Sequence, residues 1–306
     1  MKKYLGIEIG GTKLQITLGD INGTILKKSR TDVGDIKEAK NIREKIEPGI
    51  RDFLASDKIE SIGVGFGGPV NHKEGTIAVS HQVKGWKGFH LAEWLNHISG
   101  LPVQVENDAN TAALAEAYLG SGKTYDKVFY VTLGSGVGGG YIMNGDIYHG
   151  LEPGESEIGH VLCDKTGTTI ESLCSGWAVD KKIRGYISNN PNSYLAALVG
   201  NHTHSEAKYL GRAVREGDSD AQAILDDTAE DLAFGLSHVI HLFHPEVIIL
   251  GGGLSLMGEL LRKSVAFSLP GFIMKAFQPG PDLRIAALSE DVVSIGALLL
   301  AKNVKP

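Results

Sequence analysis

The chain opens twice in the same way, and this constrains its fold more than any other feature. Tyr4 to Ile9 is strand-like and runs into Gly10-Gly11-Thr12-Lys13. Leu14 to Leu18 then alternates apolar and polar residues, the period of a half-buried strand. Asp20-Ile21-Asn22-Gly23 offers a hairpin turn, because Asn-Gly tolerates the positive φ such turns need, and Thr24 to Ser29 continues as a third strand. Val128 to Leu133 repeats the pattern. It ends in Gly134-Ser135-Gly136-Val137-Gly138-Gly139-Gly140, followed by Tyr141 to Met143 and a second Asn-Gly pair at Asn144. Glycine to asparagine spans twelve positions from Gly10 to Asn22 and ten from Gly134 to Asn144. Either hairpin alone is ordinary. Both together, at the openings of two halves, read as a loose internal repeat and predict two α/β halves that share a function.

The remaining chain fits that plan. Residues 35–56 read as a helix, and Ile59 to Phe66 as a strand stopped by Gly67-Gly68-Pro69. A long alanine-rich stretch over 206–243 looks helical. Val247 to Leu250 is a fully apolar strand leading through Gly251-Gly252-Gly253 into a helix over 256–268. Strand, glycine loop and helix in that order let backbone amides meet a phosphate. At 306 residues, two domains are expected. Forty glycines, about 13% and roughly twice the usual ~7%, accompany only ten prolines, which indicates tight turns and not disorder.

A net charge of −6 argues against a general nucleic-acid binder, which needs a basic face. Two cysteines exclude a disulfide framework and suit a reducing compartment. No apolar run of 18 residues and no signal-like segment occurs, so a cytoplasmic protein with no membrane partner is expected.

Several motifs point to chemistry. Two GxGxxG matches, Gly63–Gly68 and Gly134–Gly139, open no helix, so neither is a dinucleotide fingerprint. Gly6 and Gly11 have P-loop separation, but Thr12-Lys13 follows where Lys-Ser/Thr is required. A hairpin turn could still hold phosphate through its amides. Glu106-Asn107-Asp108-Ala109-Asn110 joins a short strand, Val103 to Val105, to an alanine-rich helix over 109–119. A carboxylate there can act as general base toward a hydroxyl, and Asn or Asp there can equally be a helix cap; spacing does not separate the two. Glu157 and His160, in Gly154-Glu155-Ser156-Glu157-Ile158-Gly159-His160, could grip vicinal hydroxyls, or His160 could join a metal. Only Cys163 and Cys174 lie near it as soft donors, so a closed four-ligand zinc site is not expected. His238, His241 and His244 sweep too wide an arc of a helix for one ion and read as core or surface histidines.

In order, Glu8-Ile9-Gly10-Gly11-Thr12-Lys13, Glu106-Asn107-Asp108-Ala109-Asn110, Leu133 to Gly139, Glu157-Ile158-Gly159-His160 and Pro245 to Gly253 resemble the ROK family of bacterial sugar kinases and repressors. The resemblance runs from residue 4 almost to the C-terminus. It implies the two-domain α/β fold of actin-like (ribonuclease H-like) ATPases, with a cleft between an N-terminal domain (1–118 plus 291–306) and a C-terminal domain (119–290). The last helix, Ser294 to Lys302, would return to the N-terminal domain.

The implied activity is ATP-dependent phosphorylation of a hexose or hexosamine. Asp108 would be the general base, and Asn107, Glu157, His160 and Glu171 would hold sugar hydroxyls. Gly10, Gly11, Thr12, Lys13, Gly134, Ser135, Gly136 and Gly138 would hold the ATP phosphates, and Gly251, Gly252 and Gly253 would line the nucleoside. Phosphoryl transfer asks the protein mainly for positioning and charge neutralisation, which these groups can supply. The implied partners are a small-molecule sugar and a second copy of the chain.

Three departures from the family pattern matter. Glu8 stands where an aspartate linked to Mg2+ is usual, Gln82 replaces an asparagine before Gly85-Trp86, and the Cys-x-Cys-x4-Cys zinc motif is missing between His160 and Glu171. Structural zinc is therefore expected to be absent from that loop, which must place His160 and Glu171 by packing and hydrogen bonds. Family repressors carry a helix-turn-helix before the first strand, whereas here the strand starts at Tyr4. The alternatives to a kinase are a sugar-binding, non-catalytic regulator and a degenerate kinase.

Overall fold

The computed structural model describes every residue except Thr12, Asp35, His81, Gln82, Glu155 and 304–306. Thr12 and Gln82, both singled out by the sequence, thus lie outside the described residues. Contacts divide the chain into two compact units: Met1–Thr124 with Gly140–Ser156 and Leu288–Pro306, and Tyr125–Gly139 with Glu157–Ala287. The segment Gly140–Ser156 goes with the first unit, whereas the sequence boundaries counted it with the second.

The first unit is built on β1 (Tyr4–Ile9), β2 (Lys13–Gly19), β3 (Ile25–Asp32), α1 (Ala39–Ser56) and β4 (Ile62–Phe66). A small sheet of β5 (Val70–Asn71), β6 (Thr76–Ile77) and β7 (Phe89–His90) follows, then α2 (Leu91–Ser99), β8 (Val103–Asn107) and α3 (Asp108–Leu119). The main sheet runs β3-β2-β1-β4-β8. Its hairpin strands pair antiparallel, while β1–β4 and β4–β8 pair parallel. Ile42, Ile46, Ile50 and Phe53 recur on one face of α1, so that stripe is buried while most of its charged residues, Arg43 excepted, face water.

In the second half come β9 (Lys127–Leu133), β10 (Val137–Met143) and β11 (Asp146–Ile147). Five helices follow: α4 (Ile170–Cys174), α5 (Gly176–Asn189), α6 (Tyr194–Val199), α7 (Ala207–Arg215) and α8 (Ser219–Phe243). The chain ends with β12 (Val247–Gly251), α9 (Glu259–Ser268), β13 (Asp282–Ile285) and α10 (Val292–Asn303). The second sheet runs β11-β10-β9-β12-β13, the order of the first, so the repeat read from the glycine hairpins is a repeat of topology.

Two helical expectations are corrected. The stretch 206–243 is two helices, because Gly217 takes φ +86° and Asp218 caps the second through Asp220 N and Ala221 N. The helix expected from 256 starts at Glu259, after a short 3-10 turn over Gly253–Met257 and Gly258 at φ +66°.

The last helix packs on β1, β4 and α3 of the first unit. It is apolar all round and buried along nearly its whole length. That burial needs close approach: any side chain at Gly63 would run into the carbonyl of Ala297. No helix among the described residues is long and apolar enough to cross a membrane.

Candidate functional site

Sheet register assembles the first part of the site. Ile9 pairs with Phe66, and Phe66 with Asn107, so the residues that follow, Gly10, Gly67 and Asp108, leave the sheet at one carboxyl edge. Gly67 N donates to Ile9 O at 2.8 Å and Gly10 N to Lys13 O at 2.9 Å, which fixes the first glycine turn. A methyl group on Gly67 would stand 3.4 Å from Asp108 Oδ2 and 3.5 Å from Gly10 Cα. The half-buried carboxylate of Asp108 therefore lies beside the turn expected to carry phosphate.

Of the two roles that spacing left open, the structure assigns the cap, and it falls to Asn107. Its Oδ1 accepts from Ala109 N at 2.8 Å and Asn110 N at 3.1 Å, while Nδ2 donates to Gly68 O at 3.2 Å. Asp108 is the first helical residue. Glu106, 1% exposed, braces them, its Oε1 accepting from Asn107 N at 2.8 Å and Asn110 Nδ2 at 3.2 Å.

Glu8 is 5% exposed and fully engaged, with Oε1 2.9 Å from Lys13 Nζ and Oε2 accepting from Gln15 Nε2 at 2.8 Å. As placed, it is the counter-ion of Lys13. A directly coordinated Mg2+ does not fit this carboxylate unless Lys13 is displaced.

Sequence reading took Gly67 for a strand stop and passed over Ser80; both line a small pocket with Gly10, Phe66 and Trp86. The signal available was Gly67-Gly68 directly after a strand. Trp86 is buried, edge-on to Phe66 and Phe89, with the Arg43 guanidinium over the Phe89 ring.

The second unit gathers the other expected residues. Gly251 pairs with Thr132, so the loop after β12 runs beside the end of β9, and Gly252, at φ +78°, lies against the Leu133 backbone just before Gly134. Gly134 N donates to Gly136 O at 3.0 Å, and Gly176 N to Gly134 O at 2.7 Å. Among the described residues, a methyl on Gly134 would meet nothing closer than 4.0 Å, so this backbone is open to close approach.

Glu171 Oε2 accepts from Val137 N at 2.9 Å and abuts Gly136. Expected at sugar hydroxyls, Glu171 thus also props the second glycine turn. Glu157 and His160 are exposed at the two ends of a short 3-10 turn, closed by His160 N donating to Glu157 O at 3.1 Å. Between them Gly159 packs directly on Val137.

The loop that lacks the cysteine motif is a hairpin. Leu162 bridges Thr169, and Cys163 N donates to Thr168 O at 2.7 Å. Asp164 Oδ1 accepts from Thr166 N at 2.6 Å, Thr166 Oγ1 at 2.7 Å and Thr168 N at 3.2 Å. Hydrogen bonds from Thr168 and Thr166 hold its carboxyl well below the usual range. A capping box between Thr169 and Ser172 then starts α4 and sets Glu171. Burial pushes both the Cys163 and the Cys174 thiols up. The three late histidines have separate surroundings: His238 Nδ1 lies 3.1 Å from Phe234 O, His241 Nε2 accepts from Met274 N, and His244 stacks edge-on to Phe277.

Two sheets of one strand order, each with a glycine turn at a carboxyl edge, are the plan of the actin-like ATPase fold. The chain belongs to the ROK family, whose model matches residues 4–304. It is 29% identical to the glucokinase of Thermotoga maritima over 98% of both chains. It is 31% identical to that of Halalkalibacterium halodurans, over 98% of this chain and 95% of the relative. A solved structure of a ROK glucokinase from Streptomyces griseus, in complex with glucose and AMPPNP, superposes with a TM-score of 0.87 at 28% identity, covering 98% of this chain and 99% of that one.

Proposed function

We propose that the protein is an ATP-dependent kinase of a hexose or hexosamine, with Asp108 as the general base. The observation that carries this reading is Asp108 Oδ2 beside Gly67 and Gly10, a carboxylate next to the first glycine turn. The glucose and AMPPNP of the Streptomyces griseus relative support the same pair of substrates.

ATP would supply the phosphoryl group; a magnesium ion bound with it would neutralise phosphate charge, and Glu8 could hold that ion directly only if Lys13 were displaced. Asp108 accepts the proton of the sugar hydroxyl as that oxygen attacks, a role that speeds such reactions by roughly 10²–10⁴. Glu157, His160 and the second amide hydrogen of Asn107 orient the sugar through its hydroxyls. Backbone amides at Gly10–Gly11 and at Gly134–Gly138 hold phosphate oxygens, Lys13 adds positive charge, and Gly251–Gly253 line the nucleoside. The base belongs to a domain of residues 1–118 and 291–306, and the sugar carboxylates to residues 119–290.

The test is a panel of hexoses and hexosamines incubated with ATP and assayed for ADP release. Release dependent on one sugar supports the reading; no release with any sugar overturns it. The second reading, a sugar-binding regulator or degenerate kinase, draws on the commitment of Glu8 to Lys13. It expects sugar binding by calorimetry without turnover.

A further inference from the structure

The strand that ends just before Asp108 contributes to a group the kinase reading does not use. His72 follows β5, His149 follows β11, and Glu106 is the penultimate residue of β8. The three side chains each bring one ligand atom within 4.8 Å of the other two. His149 Nε2 is 2.6 Å from Glu106 Oε2, and the two imidazoles stack with centroids 3.6 Å apart at 11°. Among the described residues, His72 Nδ1 is buried with no hydrogen-bond partner.

A core that only needed packing would not stack two imidazoles on a buried carboxylate and leave a ring nitrogen orphaned, because buried polar atoms are ordinarily satisfied. We infer that His72, Glu106 and His149 form a binding site for one divalent transition-metal ion of the zinc or cobalt kind. Two imidazoles and a carboxylate are a donor set that such ions favour. Ligands held about 2 Å from zinc sit about 3.3 Å apart, so binding an ion requires the stacked imidazoles to splay until their in-plane lone pairs converge on it. Glu152 Oε1 lies 3.9 Å from His72 Nδ1 and is paired with Lys73 Nζ at 2.6 Å, so it could serve as a further ligand only by giving up that lysine.

The ion would act on the proposed base indirectly. Glu106 Oε2 would face the metal while Oε1 keeps its bonds to Asn107 N and Asn110 Nδ2, so the ion would stiffen the cap on which Asp108 is mounted. His72, His149 and Glu106 are positioning residues in this scheme. The site stands whether or not the protein phosphorylates a sugar. It is separate from the His160 loop, where structural zinc is not expected.

Cobalt(II) is the probe, because its visible d–d bands report imidazole and carboxylate coordination. The full chain, freed of metal by chelator, is titrated with Co2+ as wild type and as His72→Gln, His149→Gln and His160→Ala. Expected are bands saturating at one equivalent for the wild type and His160→Ala, with affinity at least about tenfold weaker in the other two variants. Should His149→Gln fail to fold, His72→Gln decides, since its Nδ1 gives up no hydrogen bond. Absence of bands at millimolar Co2+, or bands lost with His160→Ala and kept with His72→Gln, would overturn the proposal. Neither outcome depends on turnover, so failure here and failure of the sugar assay are distinguishable.

Discussion

The two glycine turns begin alike and are braced differently. Around Gly10 the bracing is ionic and lies behind the turn: Glu8 pairs with Lys13, and Gln15 holds the carboxylate's other oxygen. Around Gly136 it lies on the turn itself, where Glu171 accepts from Val137 N and touches Gly136. At the first turn the half-buried Lys13 is held by Glu8 and by the Glu290 carbonyl. At the second, a carboxylate holds the backbone in shape but brings negative charge close to a proposed phosphate position. One turn is prepared by charge, the other by shape. Residues with the same expected role, phosphate contact, should therefore respond differently to substitution.

The largest effect is expected next to the first turn. Asp108→Asn keeps the packing beside Gly67 but removes the base, so kcat should fall by roughly 10²–10⁴ with sugar and nucleotide affinity nearly intact. Steady-state kinetics with calorimetric titrations check this. Near wild-type turnover would make Asp108 part of the cap and nothing more.

Next in size is a matched pair of alanines. A methyl at Gly136 collides with the Glu171 carboxylate, so Glu171 must leave Val137 N and about 1–3 kcal/mol of stability should be lost. Among the described residues, a methyl at Gly10 meets only Lys13 O, at 3.4 Å, and should change stability by less than about 0.5 kcal/mol while weakening nucleotide binding. Urea midpoints for the two variants decide. Equal destabilisation would erase the distinction between the turns.

What the sequence displayed, and what it hid, follows the same division. The strand–glycine–strand repeat and the apolar strand before Gly251 were legible because local periodicity and turn chemistry determine them. Asp108 was legible as a candidate only, since a cap and a base share a preference for Asn and Asp at a helix start; the hydrogen bonds of Asn107 show which residue is the cap. The contact of Glu171 with Val137 was hidden, because residues 34 positions apart meet only through packing. His72 and His149 were hidden for the same reason. Each is a lone histidine in sequence, and only the fold stacks them on Glu106.

A smaller effect concerns the substrates together. If Asp108 and Gly10 on one unit, and Glu157, His160 and Gly134 on the other, serve the same sugar and nucleotide, each ligand should strengthen the other by about 1–3 kcal/mol. Sugar titrated with and without a non-hydrolysable nucleotide should show affinities about 5–150-fold apart. Equal affinities would mean that the turns act independently, and the comparison between them would lose its functional meaning.

The smallest effect tests what stands behind Glu171. Asp164 ties the 163–168 hairpin through Thr166 and Thr168, and the hairpin leads into the capping box that sets Glu171, with no counterpart at the first turn. Because hydrogen bonds from Thr168 and Thr166 depress its folded pKa, its contribution is fully present above the unfolded value of about 3.9 and lost as pH falls through the lower folded value. Amide resonances of Thr166 and Thr168 should hold still from pH 8 to 5 and move only below about pH 4. A midpoint above that would show that the carboxylate is not held as described. Asp164→Ala should leave kcat within about twofold and weaken ligand binding several-fold, well short of a lost base. Which ligand suffers is the informative reading. Weaker sugar binding alone would mark Glu171 as a sugar ligand, whereas weaker nucleotide binding would mark it as the prop of the second glycine turn.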